Sequence, residues 1–506
     1  MILVQMMRWT SLLPVLIILS SLIPALLIFA TPENAARRRT ILNLGGIVIK
    51  LCLVLLMLLG VSQGLRFRFE VDFLPGASLV LQGDALSLQF VTLSSILWLA
   101  TTIYAIGYLQ KSQLKSRFFG YFSLCVSATV GIALSGNLIT FLLFFELLTL
   151  ATFPLVVHRG TDAALKAGRL YLVYTLSGGT LLLMGVALLH SITGTSDFIP
   201  GGYVSGAVEE NRFALMAAFA LMIVGLGVKA ALFPLHGWLP RAMVAPAPVS
   251  ALLHAVAVVK AGAFGIIRVV YDVFGVETGI ALGLTPVLML AAAFTILYGS
   301  IQALRQTDIK RRLAFSTVSQ VSYITLGVAM AGPTAAIGAV VHLVHQGLMK
   351  ITLFFCAGNM AETLGIHRIQ EMDGLGKRMP LTMSAFTVGA LGMIGVPPIA
   401  GFFSKWYLGL GALESGNDAM LAVLIGSSIL NAMYFMPLIY RGWFAQPPTA
   451  GWPEDNFKKS RFETHWMMLL PPLFTALLSL LAGIFAGSLA SPLGWTEFII
   501  SQEFAL

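Results

Sequence analysis

The sequence is short of charge and of cysteine. Only 10% of its 506 residues are charged and 58% are hydrophobic, whereas a soluble globular protein carries about 25% charged residues. The three cysteines, Cys52, Cys125 and Cys356, form no CxxC pair, which argues against a disulfide framework and a cysteine metal site. A phosphate-binding loop, a haem attachment motif and a GxGxxG opening a helix after a strand are also absent. We therefore expect no cofactor and no soluble domain that could hold one.

Long apolar runs fill the rest of the chain. Runs of about 20 residues recur from end to end, each long enough to cross a bilayer core of about 30 Å as a helix. They are apolar on all sides, whereas the strands of a membrane barrel alternate between polar and apolar residues. The sequence thus predicts an all-α, polytopic membrane protein of about fourteen transmembrane helices. The expected spans are 11–30, 41–61, 87–109, 118–135, 137–158, 167–191, 212–239, 247–271, 281–304, 314–331, 335–361, 380–411, 418–440 and 465–492.

The loops between these spans divide by charge. One alternate set carries most of the lysines and arginines, including Arg37–Arg39, Lys310–Arg312 and the group Lys458, Lys459 and Arg461. The positive-inside rule places this set in the cytoplasm. We therefore expect a multi-pass protein of the cytoplasmic (inner) membrane with both termini outside. Arg8 is the only charge before the first span, so that span is expected to be a retained helix rather than a signal peptide.

Prolines interrupt the two longest spans. Pro234 follows Lys229 by five residues, and Pro397-Pro398 precedes Lys405 by seven. Proline breaks a helix, and broken helices in corresponding halves of a membrane protein indicate inverted repeats around an ion path. The expected organisation is helices 1–3 in 1–110, a first five-helix repeat in 118–271, a second, inverted repeat in 281–440, and helix 14 with a tail in 465–506. Helices 7 and 12 are the broken ones.

Charged side chains remain inside the spans. Glu146 stands alone in "FLLFFELLTLATFPLVV", and Lys229, Lys260, Lys350 and Lys405 each lie in an apolar segment. A lysine at mid-membrane costs about 2.5–3.5 kcal/mol on insertion scales, so these groups are expected to face one another or a hydrated path. A structural salt bridge would explain Glu146 and one lysine, but not the other three.

Two further cations inside the spans have local interpretations. We expect Arg268 to snorkel from the outer end of its span. Lys50 is mid-span in a helix that looks peripheral, so we expect a local structural or lipid-facing role for it.

Histidines accompany the lysines. His342, His345, Gln346 and Lys350 share one face of one helix, and His254 precedes Lys260 in the same span. A neutral histidine accepts a proton on one nitrogen and donates from the other, so this polar stripe is typical of a proton path. No carboxylate or cysteine completes a metal site there and Lys350 would repel a cation, so we expect no metal. His236 and Ser404 are secondary candidates for the path.

Three motifs identify a resemblance. "KAALFPLHGWLPRAMVAPAPVSALLHAVAVVKAG", "DIKRRLAFSTVSQVSYITLG" and "GVPPIAGFFSKWYL" occur in this order. They resemble the antiporter-like subunits of the complex I superfamily, which includes membrane subunits of NADH:quinone oxidoreductase and of membrane-bound hydrogenases and the A and D subunits of Mrp-type Na+/H+ antiporters. The resemblance runs from about residue 85 to 440.

The resemblance implies roles for the charges. Glu146 matches the glutamate of the fifth helix, and Lys229 matches the lysine of the broken seventh helix that pairs with it. Lys260 matches the central lysine, and the segment with His342 and Lys350 leads to the terminal Lys405. In the M-type respiratory subunit this last position is glutamate, so Lys405 is more similar to the respiratory L or N type or to the Mrp D type.

A D-type subunit of an Mrp-like cation/proton antiporter is the leading interpretation. The chain lacks the long lateral helix of the respiratory L type, carries Arg241 where relatives often have an acidic residue, and has "SALLHA" as respiratory and hydrogenase subunits do. The implied partners are other membrane subunits of one complex, the lipid bilayer, protons and Na+, but no nucleic acid. The chain would perform no chemistry of its own, whether or not its complex is a redox enzyme.

Other interpretations stay open from sequence. The same fold serves an ion-pumping subunit of a redox-driven complex, or a membrane subunit that works with a zinc-bearing partner in inorganic-carbon uptake. The chain could also be a non-conducting scaffold. A self-sufficient carrier of an organic solute fits less well, because it needs a roomy midplane pocket rather than a string of lysines and histidines.

Overall fold

A computed structural model of the chain describes residues 2–74, 77–449, 451–452 and 462–503. Lys458, Lys459 and Arg461, which the sequence assigned to a cytoplasmic loop, lie outside the described residues. The α-helices are α1 Ile2–Phe29, α2 Ala36–Ser62, α3 Ala85–Tyr108, α4 Lys115–Ala133, α5 Leu138–Val156, α6 Asp162–Thr193, α7 Val208–Ala230, α8 Trp238–Arg241, α9 Ala247–Ala251, α10 Val258–Arg268, α11 Val276–Ala281, α12 Leu284–Leu304, α13 Ile309–Ala329, α14 Pro333–Leu364, α15 Leu375–Arg378, α16 Pro380–Ile394, α17 Ala400–Glu414, α18 Asp418–Phe444, α19 Trp466–Ile484 and α20 Pro492–Glu503. Two strands, β1 Phe67–Leu74 and β2 Ala77–Gly83, pair antiparallel.

The expected all-α, polytopic fold is confirmed. Within the described ranges, eleven helical segments are long and apolar enough to cross a membrane. The other three expected spans fall on α4, on α13 and on α16 with α17. Serines and threonines make α4 and α13 less apolar, and α16 and α17 are 15 residues each. The count of fourteen and the inverted repeats stay predictions.

Two helical segments form the centre of the molecule. The most apolar windows of α14 and of the Ala247–Phe274 segment are fully buried inside the protein. Helices α13, α16, α17 and α19 pack around α14, and α10 packs against α7. The centre thus carries His254, Lys260, His342, His345 and Lys350 away from lipid.

Both predicted helix breaks are present. Helix α7 ends at Ala230 and Ala231 takes a left-handed conformation, φ 59°. Helix α16 ends at Ile394, Gly395 has φ 98°, and α17 begins at Ala400. The second break therefore runs from Gly395 to Ile399 and contains Pro397-Pro398, whereas Ala400 and Gly401 already belong to α17.

The Lys260 segment contains an irregularity that the sequence did not predict. Between α9 and α10 the chain forms a π-helical turn, Leu252–Val256, and a second π-helical turn, Val269–Phe274, follows α10. His254 lies in the first turn. Such turns are rare and frequently occur at functional sites.

The β-hairpin was also missed, although its sequence carries a signal. Phe67, Phe69, Val71 and Phe73 alternate with charged residues, which is the period of a half-exposed strand. The hairpin is joined to a distant loop, because Arg68 forms an ion pair of 3.0 Å with Asp197.

The structure corrects the interpretation of Arg268 and favours the structural one of the two alternatives for Lys50. Arg268 does not snorkel: it is buried and forms ion pairs of 2.7 Å with Asp84 and Asp272. Lys50 does not face lipid: its buried ammonium donates to Ser21 Oγ at 2.7 Å and lies 4.8 Å from the Trp98 ring centroid. Asp84 and Ser21 come from distant segments, which one sequence does not reveal, whereas Asp272 is only four residues from Arg268.

The orientation in the membrane is testable by labelling single cysteines. Arg311 and Glu209 are exposed side chains of loops expected on opposite faces. With Arg311→Cys we expect a membrane-impermeant maleimide to react only in inside-out vesicles. With Glu209→Cys we expect it to react only in cells with an intact cytoplasmic membrane whose outer envelope has been removed. The unmodified protein is the control. The reverse pattern would overturn the predicted topology.

Candidate functional site

Lys229 and Glu146 come together at the first break. Lys229 is buried in the last turn of α7, its Nζ donates to the Phe145 carbonyl, and it lies 3.3 Å from the Phe145 ring centroid. Glu146 is the next residue, and the two charges are within the range of mutual attraction. No direct ion pair joins them in the part of the chain that the structure describes. The expected neighbours are therefore adjacent, but not in contact as a salt bridge.

The helix break after α7 shapes the surroundings of Lys229 and Glu146. The end of α7 leaves carbonyl groups without helical donors, and the Trp238 indole from α8 donates to the Val228 carbonyl at 2.8 Å. On the other side, a Cβ built on Gly179 of α6 would overlap the Glu146 carboxylate. Glycine at this position gives the carboxylate the room that it occupies.

Lys260 lies against the end of α7. A Cβ built on Gly262 of α10 would come within 2.7 Å of the Leu226 carbonyl and 2.8 Å of the Lys229 carbonyl carbon, so the backbones of α10 and α7 touch beside Lys229. Lys260 is fully buried, and its Nζ has no hydrogen-bond partner among the described residues. Its charge interacts electrostatically with both His342 and Lys350. Lys260 therefore stands between the first break and α14.

The polar face of α14 is buried over its whole length. His342, His345, Gln346 and Lys350 have no exposed surface. His342 Nδ1 lies 2.8 Å from Ser404 Oγ, and Lys350 Nζ donates to Ser316 Oγ at 2.8 Å. The stripe that the sequence predicted faces protein on every side.

Lys405 caps the helix before the second break. Its ammonium donates to the Met393 and Ile394 carbonyls of α16 at 2.9 and 3.0 Å, and to Ser428 Oγ at 3.1 Å. The last carbonyls of a helix carry partial negative charge and lack helical donors. The break thus supplies a site where a cation is stabilised inside the membrane.

His236 occupies a different place from the other histidines. It lies in the turn after the first break, with ring centroids 5.7 Å from Phe233 and 5.0 Å from Tyr298. It lines a cavity of about 410 Å³ with Arg241, Gln306 and Arg311. The cavity is on the side of the basic loops, so His236 lies at an edge of the polar interior.

Buried polar atoms without protein partners mark the middle of the site. Among the described residues these include Lys260 Nζ, both ring nitrogens of His254 and His345, and both amide atoms of Gln346 and Gln320. Native interiors leave few such atoms unpaired, and ordered water usually satisfies them. These atoms lie within a buried file of titratable groups from Glu146 to Lys405, an arrangement suited to moving protons.

Sequence reasoning missed several neighbours of these lysines. Ser316 contacts Lys350 and Ser428 contacts Lys405, while Tyr434 and Asn431 are hydrogen-bonded to each other. Their signal was weak, because isolated polar residues in apolar helices are common. Within the described ranges, no three histidine, cysteine, aspartate or glutamate side chains gather as metal ligands do.

An all-helical membrane protein with a buried file of lysines, histidines and one carboxylate defines a class, the polytopic ion-translocating proteins. The family described as "NADH:quinone oxidoreductase/Mrp antiporter, TM" matches residues 135–430. The chain belongs to this family, and it is a membrane subunit of the proton-translocating group that includes Mrp and complex I-like complexes.

Individual relatives cover most of the chain. It is 36% identical to the N subunit of the NADH-quinone oxidoreductase of Desulforudis audaxviator over 84% of this chain and 85% of the relative. It is 29% identical to the D subunit of the Na(+)/H(+) antiporter of Alkalihalophilus pseudofirmus over 81% and 80%. A chain of the solved Mrp complex from Dietzia sp. superposes with a TM-score of 0.84, at 26% identity over 98% of both chains. These relatives are subunits of multisubunit membrane complexes.

The contact between Gly179 and Glu146 yields a test of the first pair. Gly179→Ala places a methyl group where the carboxylate lies, so the carboxylate must move relative to Lys229. We expect proton-coupled transport in vesicles to fall at least about tenfold, since a misplaced proton-transfer partner is inefficient. Helix stability should not suffer, because alanine is the better helix former.

Gly426→Ala is the matched control, since a Cβ there would meet no atom within 4 Å. It should transport as the unmodified protein does. Equal activity of both variants would show that the position of Glu146 is unimportant.

Proposed function

We propose that the chain is the proton-conducting, antiporter-like subunit of a multisubunit complex, and that this complex is an Mrp-like cation/proton antiporter with the chain as its D-type subunit. The observation that carries the proposal is the buried file of lysines between two helix breaks. Lipid could not hold these charges without penalty. Inside the protein these lysines instead lie close to carbonyls, to hydroxyls and to one another.

The proposed proton path begins at Glu146 and Lys229. Moving the carboxylate toward or away from Lys229 changes the stability of the protonated lysine, because an opposite charge favours the charged form. Lys229 exchanges a proton with Lys260 across the contact between α7 and α10. The proton then passes His254 to the α14 face, where His342, His345 and Lys350 lie, and on to Lys405 beside Ser404. His236 belongs to the path as an access point on the side of the basic loops.

The similarity to the D subunit of a Na(+)/H(+) antiporter over about four fifths of both chains and the superposition on a chain of an Mrp complex support the antiporter assignment. In this assignment Na+ is the coupled ion and other membrane subunits surround the chain. The complex lies in the cytoplasmic membrane with both termini of the chain outside.

A redox-driven pump is the second candidate. The 36% identity to the N subunit of an NADH-quinone oxidoreductase favours it, and the same lysine file would serve both complexes. Affinity purification of the tagged chain in mild detergent separates them. Small antiporter subunits in the purified complex support the first assignment, and a redox arm with cofactor absorbance supports the second.

Lys260 distinguishes a conductor from a scaffold. Lys260→Ala removes a buried cation that no described side chain hydrogen-bonds, so assembly on a native gel should survive. Transport in vesicles should fall at least about tenfold, because a proton cannot cross a gap wider than one hydrogen-bonded transfer of about 3 Å. Lys260→Arg should fail as well, since arginine stays protonated.

The exposed Lys111→Ala is the control and should leave transport unchanged. Full transport by an assembled Lys260→Ala complex would remove Lys260 from the path and favour the scaffold.

A further inference from the structure

Hydroxyl groups extend from Lys350 toward α18. Lys350 Nζ donates to Ser316 Oγ at 2.8 Å, and the Tyr434 hydroxyl lies 3.0 Å from the same oxygen. Lys350, Ser316 and Tyr434 have no exposed surface. A serine and a tyrosine each accept and donate a proton, so Lys350 is in hydrogen-bonded contact with a pair of groups able to pass one on.

Tyr323 approaches Lys405 from the other direction. Its ring centroid lies 5.3 Å from Lys405 Nζ and 5.4 Å from the centroid of His342. Its buried hydroxyl lies near Ser427, Ser428 and Asn431 without a hydrogen bond to any of them, and Tyr434 is within electrostatic range. That hydroxyl has no hydrogen-bond partner among the described residues, while Ser428 Oγ is 3.1 Å from Lys405 Nζ.

Asn431 lies between the two tyrosines and fixes their geometry. Its Oδ1 accepts from the Tyr434 hydroxyl at 2.5 Å, and its Nδ2 donates to the Met393 carbonyl at 3.2 Å. The same carbonyl accepts from Lys405. A neutral amide does not pass a proton along, so Asn431 positions the Tyr434 hydroxyl beside the second break and is not itself a carrier.

The contact of His342 with Ser404 does not reach Lys405. Ser404 Oγ donates to the Gly401 carbonyl at 3.2 Å, so the hydrogen bond that begins at His342 ends on the backbone. Ser404 and Lys405 are adjacent in sequence, and neighbours one position apart on a helix do not face each other. The hydroxyl groups offer another connection between α14 and Lys405, with hydrogen bonds from Lys350 through Ser316 to Tyr434 at one end and between Ser428 and Lys405 at the other.

We infer that Ser316, Tyr434, Tyr323 and Ser428 form a hydroxyl relay between Lys350 and Lys405. This inference rests on the proposed function. An excess proton leaves the Lys350 ammonium for Ser316 Oγ as the proton of Ser316 passes to Tyr434. The Tyr434 proton turns from Asn431 toward Tyr323, directly or through one water, and the Tyr323 proton passes through Ser428 to neutral Lys405. Each hydroxyl ends with one proton, so the transfer balances, and rotation of the hydroxyls resets the relay.

Removing single hydroxyl groups tests the relay. Tyr434→Phe and Tyr323→Phe keep the rings and their packing, and we expect each to lower vesicle transport at least about tenfold per assembled complex, as loss of a proton-transfer group does. Ser316→Ala should have a similar effect. Because Ser316 and Tyr434 belong to one route, the double variant Ser316→Ala/Tyr434→Phe should lose little more than either single variant.

The matched control is Tyr104→Phe, which removes a buried hydroxyl bonded to the Phe355 carbonyl at 3.0 Å and should transport normally. Lys350→Ala and Lys405→Ala are measured in parallel. Normal transport by assembled Tyr434→Phe and Tyr323→Phe complexes, with both lysine variants blocked, would overturn the relay and leave the proposed function standing. Normal transport by the lysine variants would overturn the proposed function itself. Additive losses in the double variant would show that Ser316 and Tyr434 act separately.

Discussion

The cost of removing lysine from water governs this structure. An ammonium group in an apolar medium is stable only where hydrogen-bond acceptors or an opposite charge replace its hydration. Lys229 meets the Phe145 carbonyl and the nearby Glu146, Lys350 meets Ser316, and Lys405 meets two carbonyls of α16 and Ser428. The two most buried helical segments, around α10 and α14, hold the lysines that lie farthest from lipid. The burial of these helices and the position of their lysines therefore have the same physical cause, the cost of placing an ammonium group in lipid.

The second helix break supplies acceptors of the kind that this constraint requires. An unbroken helix uses its carbonyls internally, whereas a helix that ends within the membrane leaves its last carbonyls without donors. At the first break Trp238 takes up the Val228 carbonyl, and at the second Lys405 takes up Met393 and Ile394. The second break is thus a cation site as well as an interruption, whereas at the first break Lys229 donates to the Phe145 carbonyl of α5.

The sequence predicted those parts of the site that are energetically unfavourable in a membrane helix considered on its own. A charge in an apolar run or a proline in a long span is conspicuous, so Glu146, the four lysines and both breaks could be found without a structure. The supporting groups could not. Ser316, Tyr434 and Asn431 are ordinary residues in their own helices, and only packing of α13, α14 and α18 gives them partners. Arg268 was misread for the same reason, since one of its partners, Asp84, comes from a distant segment. The π-helical turn at His254 has no local proline or glycine to signal it.

The lysines differ in the hydrogen-bond acceptors that the protein offers to their ammonium groups, and this difference suggests a division of roles. Lys229 and Lys405 sit at the breaks and donate to backbone carbonyls, Lys229 to that of Phe145 in α5 and Lys405 to two at the end of α16, so a proton held there is stabilised by fixed acceptors. Lys260 lies between them, fully buried, and no described side chain hydrogen-bonds its ammonium. A proton that reaches Lys260 is held by little except water and gains by moving toward α7 or α14. In the proposed path the ends of the file are therefore places where charge is held, the centre is a place that charge passes through, and we assign control of direction to the breaks and to Glu146 rather than to the middle of the path.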